Sequence, residues 1–396
     1  MNRLINTILL SLLFMNSIPV SAQELSDQGE VFLITCDPGK EVYSVFGHSA
    51  IWIRDPEFNI DYVYNYGLFD FNTPNFYMKF VKGKLLYQLG RTNYQGFIQE
   101  YIESKRSVYI QKIYLTTAEK ETLFNILEIN NRPENRDYLY DFFYNNCSSK
   151  IIDQFDSVLK DKSSIQHLNN ATGLSFRKAL KPYMKNNPWV YLGMDIGLGL
   201  PSDKIMTIRE SMFLPLNLMN KLNDGLPPHL SGEPVTVYEG ETKQESIERW
   251  PPSVYLWLIL LTGIIISTLL KSSIIVGIFD NLLFVVTGLV SFLVAFLWFG
   301  SDHQSTNYNF NIIWAFPLNL LFIARSVKWF KPWYDNYLKF YGIVQIILLV
   351  TWAVLPQDLN NALIPVVILL AFRSLDISGV LPGWVQKRWP RLVNSA

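Results

Sequence analysis

Between Val254 and Phe372 the sequence carries five apolar runs, at residues 254–270, 282–299, 310–324, 340–355 and 362–372. Each lies near the length that crosses about 30 Å of hydrocarbon, except the last, which is short. A soluble core does not need four such runs in so little chain. The pattern therefore predicts an all-α transmembrane bundle of about five helices over residues 250–396. Trp257, Trp298, Trp314 and Trp352 fall near the ends or faces of the runs, as an aromatic belt requires.

Charge gives the bundle a direction. Lys271 follows the first run. Arg325, Lys328, Lys331 and Lys339 lie between the third and fourth. Arg373, Lys387, Arg388 and Arg391 follow the fifth. The alternate loops, 300–309 and 356–361, contain no Lys or Arg. Positive loops stay in the cytoplasm, so the C-terminus is expected there and whatever precedes the bundle is expected outside.

The start of the chain gives the same answer independently. Arg3 is followed by a largely apolar run over residues 5–15, and Val20-Ser21-Ala22 supplies small residues before Gln23. This reads as a signal peptide, residues 1–22, cleaved before Gln23. The apolar run is too short to serve comfortably as an anchor helix. Residues 23–249 are then one exported domain, long enough for a sizeable core. A net charge of zero argues for no nucleic-acid partner.

Within this domain, residues 31–35 form a short apolar strand. Residues 46–54 alternate, with Phe46, His48, Ala50 and Trp52 on one face and Gly47, Ser49, Ile51 and Ile53 on the other. Residues 62–69 read as the return strand, with Asp55-Pro56 in the turn, and residues 107–115 as a further strand. Thr116 caps a helix over residues 117–129. A second helix opens at Cys147, with Asn145 or Asn146 as its cap and Ile151, Ile152, Phe155, Val158 and Leu159 at helical spacing. Residues 189–200 read as irregular, residues 210–222 as an amphipathic helix interrupted at Pro215, and residues 226–249 as a polar tether.

One pair of residues has the makings of chemistry. A cysteine at a helix N-terminus meets unpaired amides and the positive end of the dipole, which favour thiolate. Cys147 has that position, and His48 lies on the adjoining sheet, able to take or give the proton. That is the arrangement of nucleophilic acyl transfer. A third polar group usually orients the imidazole. The hairpin brings Asn65 opposite His48 to within a residue, and Tyr64 and Tyr66 are its rivals, because one residue of register decides the face. The plainer alternative is structural: the chain's two cysteines, Cys36 and Cys147, permit one disulfide in an exported protein. Nothing in the pattern calls for a metal or a cofactor.

The order of a histidine on a strand, then Asn-Cys at a helix start, resembles the circularly permuted papain-like proteins, among them NlpC-type peptidases and the lecithin retinol acyltransferase family. More closely, Thr35-Cys36-Asp37-Pro38-Gly39, Tyr43-Ser44-Val45-Phe46-Gly47-His48-Ser49-Ala50, Tyr64-Asn65-Tyr66-Gly67, Arg132-Pro133-Glu134-Asn135-Arg136 and Tyr140-Asp141-Phe142-Phe143-Tyr144-Asn145-Asn146-Cys147-Ser148 resemble the periplasmic domain of Lnb-type lipoprotein N-acyltransferases. The likeness continues through Met212-Phe213-Leu214-Pro215 and, in the bundle, at His303, Asn311-Ile312-Ile313-Trp314 and Pro317-Leu318. The resemblance implies an α+β, permuted papain-like outer domain. It implies transfer of an acyl chain from a membrane phospholipid, through a Cys147 thioester, to the α-amino group of a diacylated lipoprotein. Cys147, His48 and Asn65 are then the expected catalytic residues, and Ser44, Tyr66 and His303 the expected substrate contacts. For His303 an ordinary solvated loop residue is the alternative. Two other functions fit the same residues: a cysteine peptidase or amidase acting on peptidoglycan, and a non-catalytic membrane-anchored sensor or scaffold with Cys36 and Cys147 joined.

Overall fold

The computed structural model describes residues 24–159, 168–224, 229–241, 250–268 and 273–381. The expected signal peptide and its cleavage point before Gln23 lie outside these residues, as do Lys271, Lys387, Arg388 and Arg391.

The outer domain is built on an antiparallel sheet of seven strands in the order β6-β4-β3-β2-β1-β5-β9. The strands are β1 Glu30–Cys36, β2 His48–Asp55, β3 Ile60–Leu68, β4 Leu86–Thr92, β5 Val108–Ile113, β6 Asp137–Leu139 and β9 Val235–Tyr238; β7 Ala171–Ser175 and β8 Ile205–Thr207 form a separate pair. Its α-helices of five residues or more among the described residues are α1 Phe76–Val81, α2 Tyr94–Glu103, α3 Thr117–Asn130, α4 Cys147–Val158, α5 Phe176–Leu180, α6 Pro188–Gly197 and α7 Pro215–Asn223.

Strand alternation sorts the apolar residues into two cores. Leu33, Ile51, Ile53, Tyr64 and Tyr66 face α3, α4 and α7, which contribute Leu123, Phe124, Ile151, Phe155 and Leu218. Ile34, Cys36, Ala50, Trp52 and Val63 face α2, which contributes Phe97, Ile98 and Tyr101. The central strands are thus covered on both faces. Burying each large side chain is worth about 1.5–3 kcal/mol, so this layering fixes the strand register firmly.

Several expectations are revised. His48 is the first residue of β2 rather than a mid-strand one. Gly47, at φ +85°, ends the preceding turn, and a side chain there would meet the Cys36 carbonyl. Residues 188–197, expected to be irregular, are helical, with Pro188 in the first turn where its missing N–H costs nothing. Pro215 starts α7 for the same reason instead of interrupting a helix. The expected tether contributes β9, which extends the sheet beside β5.

The bundle comprises α8 Pro252–Thr268, α9 Ser273–Phe299, α10 Lys331–Thr351 and α11 Ile364–Ile377, with a helical turn Asn311–Trp314 and a 3-10 segment Pro317–Ser326 between α9 and α10. Two stretches, Ile274–Phe299 and Lys331–Val354, are long and apolar enough to span. The third run, expected to be one helix, breaks ahead of Pro317, whose ring disfavours helix in the residue before it. The carbonyls freed by the break are taken inside the protein: Gln345 Nε2 donates to Ile313 O (3.0 Å) and the Tyr341 hydroxyl to Trp314 O. Arg373, counted as a loop charge, lies on α11 and is buried against Asp280, at 2.7 Å to each carboxylate oxygen. Lys331 and Lys339 likewise belong to α10 rather than to a loop.

The two loops free of Lys and Arg are the ones that meet the outer domain. Asn309 Nδ2 donates to Ile196 O (2.7 Å) and Gly197 O (3.0 Å), and Gly199 N to Ser305 O (2.8 Å). From the second loop, Gln357 Nε2 donates to Leu198 O (3.0 Å) and Asn360 Nδ2 to Asp195 Oδ2 (2.8 Å). Arg177, itself buried, braces this segment through Asp195 and Asp203.

Candidate active site

The loop ahead of α4 is held at every turn. Asp141 Oδ1 accepts from the amides of Phe143 (2.9 Å) and Tyr144 (3.0 Å), and Asn145 Nδ2 donates to Leu139 O. Asn146 is the cap: its Oδ1 accepts from Ser149 N (2.9 Å), while its own amide donates to Ser149 Oγ (2.7 Å). Its Nδ2 reaches Phe142 O and Phe213 O, fastening the helix start to the segment before α7. Lys150 N opens the intrahelical ladder at Asn146 O. That leaves the first-turn amides of Cys147 and Ser148 outside the cap and the ladder, beside the thiol.

The sheet supplies the rest. Ser148 Oγ donates to Ser49 Oγ (3.1 Å), which sets α4 against the start of β2. His48 Nε2 lies 2.6 Å from Asn65 Oδ1, so Nε2–H donates to the amide and Nδ1 is left for the thiol. The register Ile51↔Tyr64, carried one residue further, places Asn65 across from Ala50 and on the same face as His48. Gly67 then falls across from His48 itself. It stands at φ +97°, and a Cβ there would sit 3.7 Å from Cys147 Cβ and 3.8 Å from His48 Cε1. The thiol and the imidazole meet over a residue that has no side chain to separate them.

The electrostatics follow from this contact. Burial alone would push the Cys147 thiol up, but the charge on His48, a hydrogen bond between the two, the Ser49 amide and the Ser148 hydroxyl together hold it below its ordinary value. Burial disfavours a charged His48, yet the Cys147 thiolate and the hydrogen bonds to Cys147 and Asn65 lift its pKa above the ordinary value. Each partner favours the charged form of the other. Cys36 behaves differently. It is fully buried across from His48 in the β1–β2 pairing, and burial pushes its thiol far up despite Arg106 and a hydrogen bond with Tyr101. The two cysteines are unjoined.

Residues 23–181 match the family model described as the Lnb N-terminal periplasmic domain, and residues 242–380 match the Lnb transmembrane domain. The chain belongs to the Lnb family of lipoprotein N-acyltransferases. No curated protein and no solved structure matches it. As an Lnb protein it is an inner-membrane protein, with the sheet domain in the periplasm and the helical region as its membrane part.

The expected substrate contacts, Tyr66, Ser44 and His303, have hydrogen-bond partners of their own in this Lnb protein. Tyr66 is buried beneath the sheet, where its hydroxyl accepts from Asn130 Nδ2 (3.0 Å). Tyr64 is buried on the same face and donates to Glu128, so of the three hairpin candidates only Asn65 reaches His48. The Ser44 hydroxyl donates to Glu41 O (3.0 Å) within the turn before β2. His303 Nε2 donates to Phe80 O (2.8 Å), joining the loop after α9 to α1. Gly67, Ser49 and Ser148 were missed in the sequence. A glycine inside an aromatic strand was the available signal for the first.

Proposed function

We propose that this protein transfers an acyl chain from a phospholipid to the α-amino group of a diacylated lipoprotein, through a thioester on Cys147. The observation that carries the proposal is the Cys147–His48–Asn65 contact, at a helix start, in a domain fastened to the outward loops of a membrane bundle. The Cys147 thiolate attacks the ester carbonyl carbon of the donor. The oxyanion that forms faces the first-turn amides of α4. As the carbon–oxygen bond breaks, imidazolium His48 gives its proton to the leaving lysophospholipid oxygen, and the neutral ring remains beside the thioester. The α-amine of the acceptor, with a pKa of about 8, then attacks the same carbon. His48 takes the amine proton, the carbon–sulfur bond breaks, and the thiolate–imidazolium pair is restored. Asn65 holds the ring in the tautomer both steps need.

The test is reconstitution of the full-length protein in phospholipid vesicles with a synthetic diacylated lipopeptide. The expected product is the intact lipopeptide heavier by one acyl chain, with the added mass on its N-terminal residue. An acceptor that is unmodified, or cut into shorter peptides, would overturn the proposal, the second outcome in favour of a peptidase.

A further inference from the structure

Between the candidate site and the membrane loop lies a segment whose side chains are spent on neither core. Helix α1 has no buried residue. Around it Tyr43, Phe71, Tyr77, Met78 and Phe80 are all exposed, Tyr77 by 76 % and Phe71 by 59 %. Isolated apolar side chains on a surface need no explanation, but a contiguous aromatic patch does. This one is continuous. Tyr140 adjoins the Asp141–Asn145 bridge that leads into Cys147, and it stacks on Tyr87 at 4.2 Å between ring centroids. Tyr87 lies 5.1 Å from Phe69, Phe69 lies 5.9 Å from Phe76, and Phe76 stacks on Phe80 at 6.5 Å. The line runs from the loop that leads into Cys147 to His303, which lies 6.4 Å from the Phe80 ring.

The far end is tied to the bundle just past the end of α9. His303 Nε2 donates to Phe80 O and Asp302 N to Lys82 O (3.0 Å), and both residues follow the end of α9 at Phe299 by a few positions. Lys79, Lys82 and Lys84 punctuate the apolar residues. Exposed aromatics with interspersed lysines, fixed beside the end of a membrane-spanning helix, are the composition of a segment that lies in the headgroup region.

We infer that residues 69–82 dip into the periplasmic leaflet of the bilayer, with the line of rings from Phe80 to Tyr140 as the apolar path by which a lipid acyl chain reaches Cys147. The path's destination rests on the proposed transfer reaction; the membrane contact does not. An acyl chain moving along it stays against aromatic surface instead of crossing water.

The test uses the full-length Cys147→Ser protein, which removes the thiol, in vesicles of phosphatidylethanolamine and phosphatidylglycerol, with a photoreactive phenylalanine analogue placed at Tyr77. A matching protein carries the analogue at Phe58, which is equally apolar and half exposed but sits in the β2–β3 turn at the other end of the sheet. Phospholipid adducts at position 77 and none at 58 are expected. Equal adducts at both positions, or adducts at 77 only to protein, would overturn the membrane contact. With Cys147 intact, Met78→Asp should lower lipopeptide acylation about tenfold while leaving the iodoacetamide reactivity of Cys147 unchanged. Unchanged acylation would overturn the path. Lipid adducts at 77 in a protein that acylates nothing would support the membrane contact and count against the transfer reaction alone.

Discussion

At the scale of single residues, Cys147 and His48 each favour the charged form of the other. Cys147 is pulled below its ordinary value of 9.0 and His48 raised above its own of 6.5. Activity should therefore rise as pH climbs through the depressed thiol value, where thiolate forms. It should fall as pH climbs through the raised imidazole value, where the proton donor for the first step is lost. His48→Ala removes both the proton carrier and the charge that lowers the thiol. Lipopeptide acylation should fall by about two to four orders of magnitude. The midpoint of iodoacetamide alkylation at Cys147 should move up in pH, because burial is then opposed by less. A midpoint unmoved in His48→Ala would mean that the thiol owes its reactivity to the helix alone. Cys36 offers the contrast: it lies across from His48 at the same end of the sheet, but there burial outweighs the charge of Arg106, and it should alkylate slowly at every neutral pH.

At the scale of elements, the sequence was informative wherever a local rule decides. The alternation of residues 46–54 sorted Ala50 and Trp52 from Ile51 and Ile53 as the two cores do. The capping residue before Cys147 was legible to within one position, and proved to be Asn146. What was not legible depends on partners distant in sequence. Strands β4 and β6 and helix α2 are defined by what they pack against, and the choice of Asn65 over Tyr64 and Tyr66 turned on a single step of register. The break in the third apolar run could be suspected at Pro317, but its acceptability depends on Tyr341 and Gln345 reaching back across the bundle. Gly67 is the element-scale feature most open to test. Its backbone lies where side chains are strained, and space for one added carbon exists beside Cys147 and His48. Gly67→Ala should cost about 1–3 kcal/mol of stability and leave the Cys147 alkylation midpoint in place. Gly67→Val should add a branch between the two reactive groups and raise that midpoint. If both variants alkylate as the parent does, the glycine serves the strand and not the pair.

At the scale of the whole molecule, an outer domain and a bundle are joined through backbone carbonyls at residues 196–199 and side chains from two outward loops. Asn309 is the centre of this joint. It is fully buried, donates to two carbonyls of the outer domain, and accepts from Asn311 and Gln357. Asn309→Ala would leave several buried groups unpaired, each at a cost of about 1–3 kcal/mol. Limited proteolysis of the membrane-inserted variant should open the segment around residues 195–203, which the parent protects. The reactivity of Cys147, set by α4 and the sheet, should persist. Acylation should fall, because the site no longer sits at a fixed height above its substrates. A variant with parental protection would show that the remaining bonds of the two loops hold the joint without Asn309.

The central claim is that Cys147 carries the acyl chain, and the most direct measurement is the mass of the peptide containing it. Protein purified from vesicles without a lipoprotein acceptor should carry an acyl group on that peptide, released by hydroxylamine and by added diacylated lipopeptide. Cys147→Ser should lose it, and Cys36→Ser should keep it. An acyl mass on the Cys36 peptide, or one that survives in Cys147→Ser, would contradict the account.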